Sequence, residues 1–113
     1  MPKIKLLIAL LPSLLIMACS PHPSSGEWHN ISNGDNEINM ITVMFDGKAQ
    51  MYGADKELII RRCFWAGEDK TTINLTCVHP DDTDTDINYR LQVSDGQAIL
   101  LQANHTIARY RKL

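Results

Sequence analysis

Thr72-Ile73-Asn74-Leu75-Thr76-Cys77 decides the fold: Ile73, Leu75 and Cys77 share one face, and Thr72, Asn74 and Thr76 share the other. Alternation of this kind is the period of a half-buried β-strand, whereas a helix would bring its apolar residues back every three or four positions. The same period recurs on both sides. Downstream, Ile87, Tyr89, Leu91 and Val93 alternate with Asn88, Arg90 and Gln92, and Asp95-Gly96 supplies a tight turn into a strand from Gln97 to Ala103. Upstream, Leu58 to Trp65 reads as a strand turned back by Gly67-Glu68-Asp69-Lys70. Before it, Asn39, Ile41, Val43 and Phe45 alternate with Met40, Thr42 and Met44, and end at Asp46-Gly47, whose glycine accepts positive φ. Lys48 to Tyr52 follows, Glu27 to Ile31 opens the series and Thr106 to Arg111 closes it. The prediction is an all-β domain: a small antiparallel meander of about eight strands, closed or cracked into a barrel.

Composition fits one domain, since the chain has 113 residues, 44% of them apolar and 21% charged. A formal net charge of −2 argues against nucleic acid as a partner, because a nucleic-acid binder shows a basic excess on one face.

The start of the chain reads as an address. Ile4 to Ala18 is interrupted only by Lys5, Pro12 and Ser13, follows the cationic Lys3, and contains no acidic residue. A bilayer-spanning helix needs about 20 apolar residues, and this run is shorter and broken by proline. A charged start, an apolar middle and a small residue before a cut are the layout of a secretory signal peptide.

Ile16-Met17-Ala18-Cys19 resembles the lipobox of bacterial lipoprotein precursors, in which signal peptidase II cuts before the cysteine. The resemblance implies a diacylglycerol on the Cys19 thiol and a further acyl chain on its new amino group. Each buried methylene contributes about 0.8 kcal/mol, so such a group anchors the protein to a membrane without spanning it. Ser20 rather than Asp after the cysteine implies the outer membrane of a Gram-negative envelope, with the domain facing the periplasm. The division of the chain is then 1–18 signal peptide, 19–26 lipidated cysteine and Pro/Ser tether, and 27–113 β domain. Loss of Lys3 and Lys5 with the leader takes the net charge from −2 to −4. An extended tether would hold the folded part roughly 20 Å off the membrane. The competing reading is an ordinary secretory leader, for which the sequons Asn30-Ile31-Ser32, Asn74-Leu75-Thr76 and Asn104-His105-Thr106 speak.

Cys63 and Cys77 lie in consecutive predicted strands of an exported chain, where thiols oxidise. If Glu68 to Thr72 form the connecting turn, residue 63 faces residue 77, and the two are expected to form a disulfide. A closed loop of about 15 residues stabilises a fold by about 3 kcal/mol in the chain-entropy picture.

Gly26-Glu27-Trp28 resembles the G-x-W opening of lipocalins, in which an arginine of the last strand packs across the tryptophan. The resemblance implies a cation–π pair between Trp28 and Arg109 or Arg111, and a lipocalin-like barrel. The chain is well short of a full lipocalin, and small barrels fill their interiors with side chains.

Little else in the sequence carries chemistry. The run Asp81-Asp82-Thr83-Asp84-Thr85-Asp86 alternates oxygen ligands as calcium loops do, but Ile87 and Val93 stand where a glycine and a bidentate glutamate are needed. It reads as a solvated acidic turn. The histidines at 22, 29, 79 and 105 lack the paired close spacing of a zinc site, so no metal or other cofactor is expected. Arg61 shares the predicted inward face of Cys63, which a bulge or a barrel end would explain. There is no Gly-x-Ser-x-Gly elbow and no phosphate loop, so the protein is not expected to be an enzyme. The expected function is a lipid-anchored, non-enzymatic module that binds another envelope protein, in the manner of an accessory, pilot, exclusion, inhibitor or immunity factor. The strand edges and the Arg109-Tyr110-Arg111 terminus are the expected contact. The alternative is a carrier of a small apolar ligand or lipid inside the barrel.

Overall fold

The computed structural model describes residues 22–32 and 38–113. The segment expected to be a signal peptide, Cys19 and the first residues of the expected tether lie outside them. Eight strands follow one another: β1 (Gly26–Asn30), β2 (Met40–Val43), β3 (Lys48–Tyr52), β4 (Ile59–Gly67), β5 (Thr72–His79), β6 (Asp82–Ser94), β7 (Gln97–Gln102) and β8 (His105–Lys112). Each pairs antiparallel with its chain neighbour, and β1 also pairs with β8 through Trp28↔Lys112 and Asn30↔Tyr110, which closes the barrel. The all-β meander expected from the alternation is present, and it is closed rather than cracked.

Closure gives each of the eight strands two neighbours, so among the described residues no edge strand is left to make the contact expected of strand edges. What the barrel presents is its outer wall and its two ends. The chain enters at the end that also carries the β2–β3, β4–β5 and β6–β7 turns and the C-terminus.

The inward positions are set by the period of two. Trp28, Ile41, Met51, Ile73, Leu75, Leu91, Leu100 and Tyr110 are each at most 1% exposed and belong to one contiguous cluster. Small residues face large ones where the wall is crowded: Ala98 pairs with Tyr110 and Ala108 with Leu100. A void wide enough for one water would leave accessible surface on the side chains around it, and these show essentially none. The barrel is filled by its own side chains.

Cys63 and Cys77 are directly opposed on β4 and β5, with Cα atoms 4.0 Å apart, and are joined by a disulfide inside the core. The turn assumed from the sequence is the one found: Gly67 pairs with Ile73, and Glu68 N–H donates to the Thr72 carbonyl at 2.9 Å. Arg61 lies next to a register shift, since Met51 pairs with Arg61 and Tyr52 with Ile59, leaving Ile60 as the extra residue.

The turns depart from expectation in detail. Phe45 leaves the strand and stands 79% exposed at the tip of the β2–β3 turn. Gly47 takes φ +87° there, and Met44 N–H donates to the Lys48 carbonyl at 2.9 Å. Asp95 and Gly96 have φ +52° and +75°, the backbone of a tight hairpin turn. The acidic run is a turn only at its start: the reversal falls at Pro80-Asp81, and Asp82–Asp86 are the first residues of the long β6, where a register shift leaves Thr83 to Thr85 without partners on β5. Those residues are exposed because they extend past Ile87, the partner of Cys77, where the core ends.

Candidate functional site

His22 to Ser25, expected to be part of a free tether, are docked on the barrel end. Ser24 is fully buried and Ser25 nearly so. The reason lies in Trp28: its indole N–H is buried and needs an acceptor, and the Ser24 carbonyl takes it at 2.8 Å. His22 fastens the segment from the other side. Its Nδ1 accepts the Ser24 amide at 3.1 Å, with the Ser24 hydroxyl 2.9 Å away, which leaves Nε2 to donate to the Asp69 carbonyl at 2.7 Å. The His22 ring also lies 5.9 Å from that of Trp65. Asp69 sits in the β4–β5 turn, where the Thr71 backbone amide hydrogen-bonds its carboxylate and holds its pKa below the usual range.

Gly26 and Trp28 form the base of this end with a cation, but the cation is neither Arg109 nor Arg111. Lys112 Nζ lies 5.6 Å from the centroid of the Trp28 ring and donates to the Pro23 carbonyl at 3.2 Å. Strand alternation is the cause. With Ala108 and Tyr110 buried, Lys112 shares the inward parity, whereas Arg109 and Arg111 point outward. That parity, read from Tyr110 alone, would have found the lysine.

Tyr110 is likewise not a surface contact. It is fully buried, and its hydroxyl donates to the Ile38 carbonyl at 2.8 Å. Burial, with the neighbouring Tyr89 adding to it, pushes its phenol well above the ordinary tyrosine range.

Arg109 and Arg111 remain on the outer wall. Arg109 pairs with Ile99, and Arg111 with Gln97 on β7 and His29 on β1. An open depression of about 770 Å³ runs over this wall, lined among others by Gln92, Gln97, Ile99, Asp95 and Arg109. Arg90 nearby is engaged by Glu68 at 2.8 Å. Among the described residues, no carboxylate pairs with Arg109 or Arg111. Two unneutralised guanidinium groups beside a half-buried isoleucine and two amides can grip a carboxylate-bearing surface by forked hydrogen bonds.

Among the described residues, no group of three or more His, Cys, Asp or Glu side chains is placed to hold a metal ion. Asp82, Asp84 and Asp86 belong to the irregular start of β6, where the Asp84 amide donates to the Asp82 carboxylate at 3.3 Å, and form no such group. The closed meander, opened by Gly26-Glu27-Trp28 with a cation of the last strand over the indole, is consistent with a small lipocalin-like barrel. Comparison with protein-family models, with curated proteins and with solved structures finds no match to this chain.

Proposed function

We propose that the chain is a lipoprotein of the bacterial envelope, anchored in the outer membrane through Cys19 and facing the periplasm, whose barrel is a non-enzymatic protein-binding module. The observation that carries the second half is the filled interior beside an outer wall with unpaired cations. A carrier would need volume that Met51, Leu75, Leu91 and Tyr110 occupy, so recognition falls to the outside of the barrel. There, Arg109 and Arg111 flank Ile99 and Gln97 and suit an acidic segment of another envelope protein, of the accessory, pilot, exclusion, inhibitor or immunity type.

The anchor is tested by feeding labelled palmitate to a bacterial host: label enters the wild type and not Cys19→Ala. The module is tested by cross-linking in intact membranes. One envelope protein is expected to be trapped by the wild type and lost with Arg109→Glu/Arg111→Glu, while the variant keeps its melting temperature. A small apolar molecule retained in native mass spectra of the delipidated domain would favour the carrier instead.

A further inference from the structure

We propose that the barrel lies end-on against the bilayer, with the docked N-terminal segment as its footing and the Phe45 ring set into the headgroup layer. The proposal rests on the lipid at Cys19 and adds the orientation that a lipid alone does not fix.

Length is the first argument. A free tether through Gly26 would let the domain stand off and tumble, but the chain is already fixed at His22 by its bonds to the Asp69 carbonyl and to Ser24. Only Ser20 and Pro21 separate that fixed point from Cys19. At about 3.3–3.6 Å per residue, the anchored cysteine lies within about 11 Å of His22. The roughly 20 Å stand-off expected of an undocked tether is therefore cut to roughly half.

What this end shows is the second argument. The His22 ring touches Trp65, and Trp65 Nε1 donates to the Met44 carbonyl at 2.7 Å, which fixes the β2–β3 turn beside the entry point. Phe45 stands at the tip of that turn, 79% exposed, with no core function. An aromatic ring held out on a rigid hairpin next to a lipid anchor is placed to enter a membrane interface. The charges of this end are mixed: it carries Lys48, Lys70 and Lys112 together with Asp46, Glu68, Asp69 and Asp95. Attraction to an anionic surface therefore does not drive the contact, and it should survive salt.

The experiment uses the full lipidated chain, extracted from bacterial membranes and reconstituted in vesicles of phosphatidylethanolamine and phosphatidylglycerol containing doxyl lipids. Phe45→Cys and Asp81→Cys each provide one free thiol for an environment-sensitive fluorophore, the second at the opposite end of the barrel in the β5–β6 turn. Doxyl lipid is expected to quench the label at position 45 several-fold more than that at 81, at low and at high salt alike. Flotation of the vesicles on a density gradient reports the anchor separately. Protein that floats but is quenched equally at both positions, or at neither, overturns the end-on orientation while leaving the anchor intact. Protein that does not float overturns the lipoprotein reading and the orientation with it.

Discussion

Lys112 reaches back from the end of β8 to lie over the Trp28 ring, and the stem that takes it there passes across Gly26. A Cβ at Gly26 would stand 2.8 Å from Lys112 Cε, and the glycine itself has φ +126°. Gly26→Ala is therefore opposed chiefly by the backbone, since the lysine tip can move aside at the expense of its place over Trp28, and should destabilise by about 1–3 kcal/mol. Gly96, also at positive φ but with nothing within 4 Å, makes the control: Gly96→Ala should lose only about 1 kcal/mol. Adding Lys112→Ala to Gly26→Ala should recover part of the loss and no more. Urea midpoints decide this, and a smaller loss at Gly26 than at Gly96 would refute the strained backbone there.

Tyr110 predicts an alkaline limit. Its phenol is held above the ordinary range by burial, so the folded barrel keeps the proton while the unfolded chain gives it up near pH 10. The unfolded state binds fewer protons above that pH. The stabilisation is complete below it and is lost as pH rises, by up to about 1.4 kcal/mol per unit. Tyr110→Phe removes this term. Its loss near neutrality should be only about 1 kcal/mol, because the Ile38 carbonyl still accepts from Asn30 Nδ2 at 3.0 Å. Melting temperatures from pH 7 to 11 should fall more steeply in the wild type than in the variant.

These two positions mark where local pattern suffices and where it stops. Alternation around Ile73, Leu75 and Cys77 placed the inward face of the sheet, and counting across the Glu68 to Thr72 turn put Cys63 opposite Cys77. The acidic run reads as a turn on its charge alone, yet only its first residue, Asp81, lies in the reversal. Asp82 and Asp86 pair with His79 and Val78, and Thr83 to Thr85 stand between them as an irregularity of the ladder that no local pattern announces. His22-Pro23-Ser24-Ser25 read as a tether because composition signals an exposed segment. What buries it is the indole of Trp28 seeking an acceptor, a tertiary requirement with no local period. Likeness to lipocalins implies that Arg109 or Arg111 packs on Trp28, although the alternation that buries Tyr110 sends both to the other face.

The disulfide should matter more than its short span suggests, because it lies inside the core of a small domain. Cys63→Ala/Cys77→Ala should lose about 3 kcal/mol or slightly more, the unfolded chain being released from a closed loop. Alkylation of the denatured, unreduced protein should add no mass at Cys63 or Cys77, and addition at both would refute the bridge.

Ala103 and Asn104 form the β7–β8 turn with φ +49° and +67°. Alanine pays about 1–2 kcal/mol for that region and asparagine tolerates it. Ala103→Asn should raise the melting temperature by about 4–8 °C for each kcal/mol recovered. A fall on this substitution would contradict the left-handed turn.

His22 tests whether the entry segment belongs to the fold. Its ring makes the link between Ser24 and the Asp69 carbonyl, and Ser24 in turn accepts the Trp28 indole proton. His22→Ala should therefore leave the barrel folded but let the segment lift locally, a partial opening well below global unfolding. The readout is hydrogen exchange. The Trp28 indole N–H should exchange at least about tenfold faster, an opening made easier by about 1.4 kcal/mol, while the amides of Leu75 and Leu91 in the core keep their rates. His22→Gln, which can still donate to the Asp69 carbonyl, should restore part of the protection. Unchanged indole exchange in His22→Ala would mean that the Trp28–Ser24 bond holds the segment alone, and uniform acceleration would mean that the histidine supports the whole barrel rather than its end.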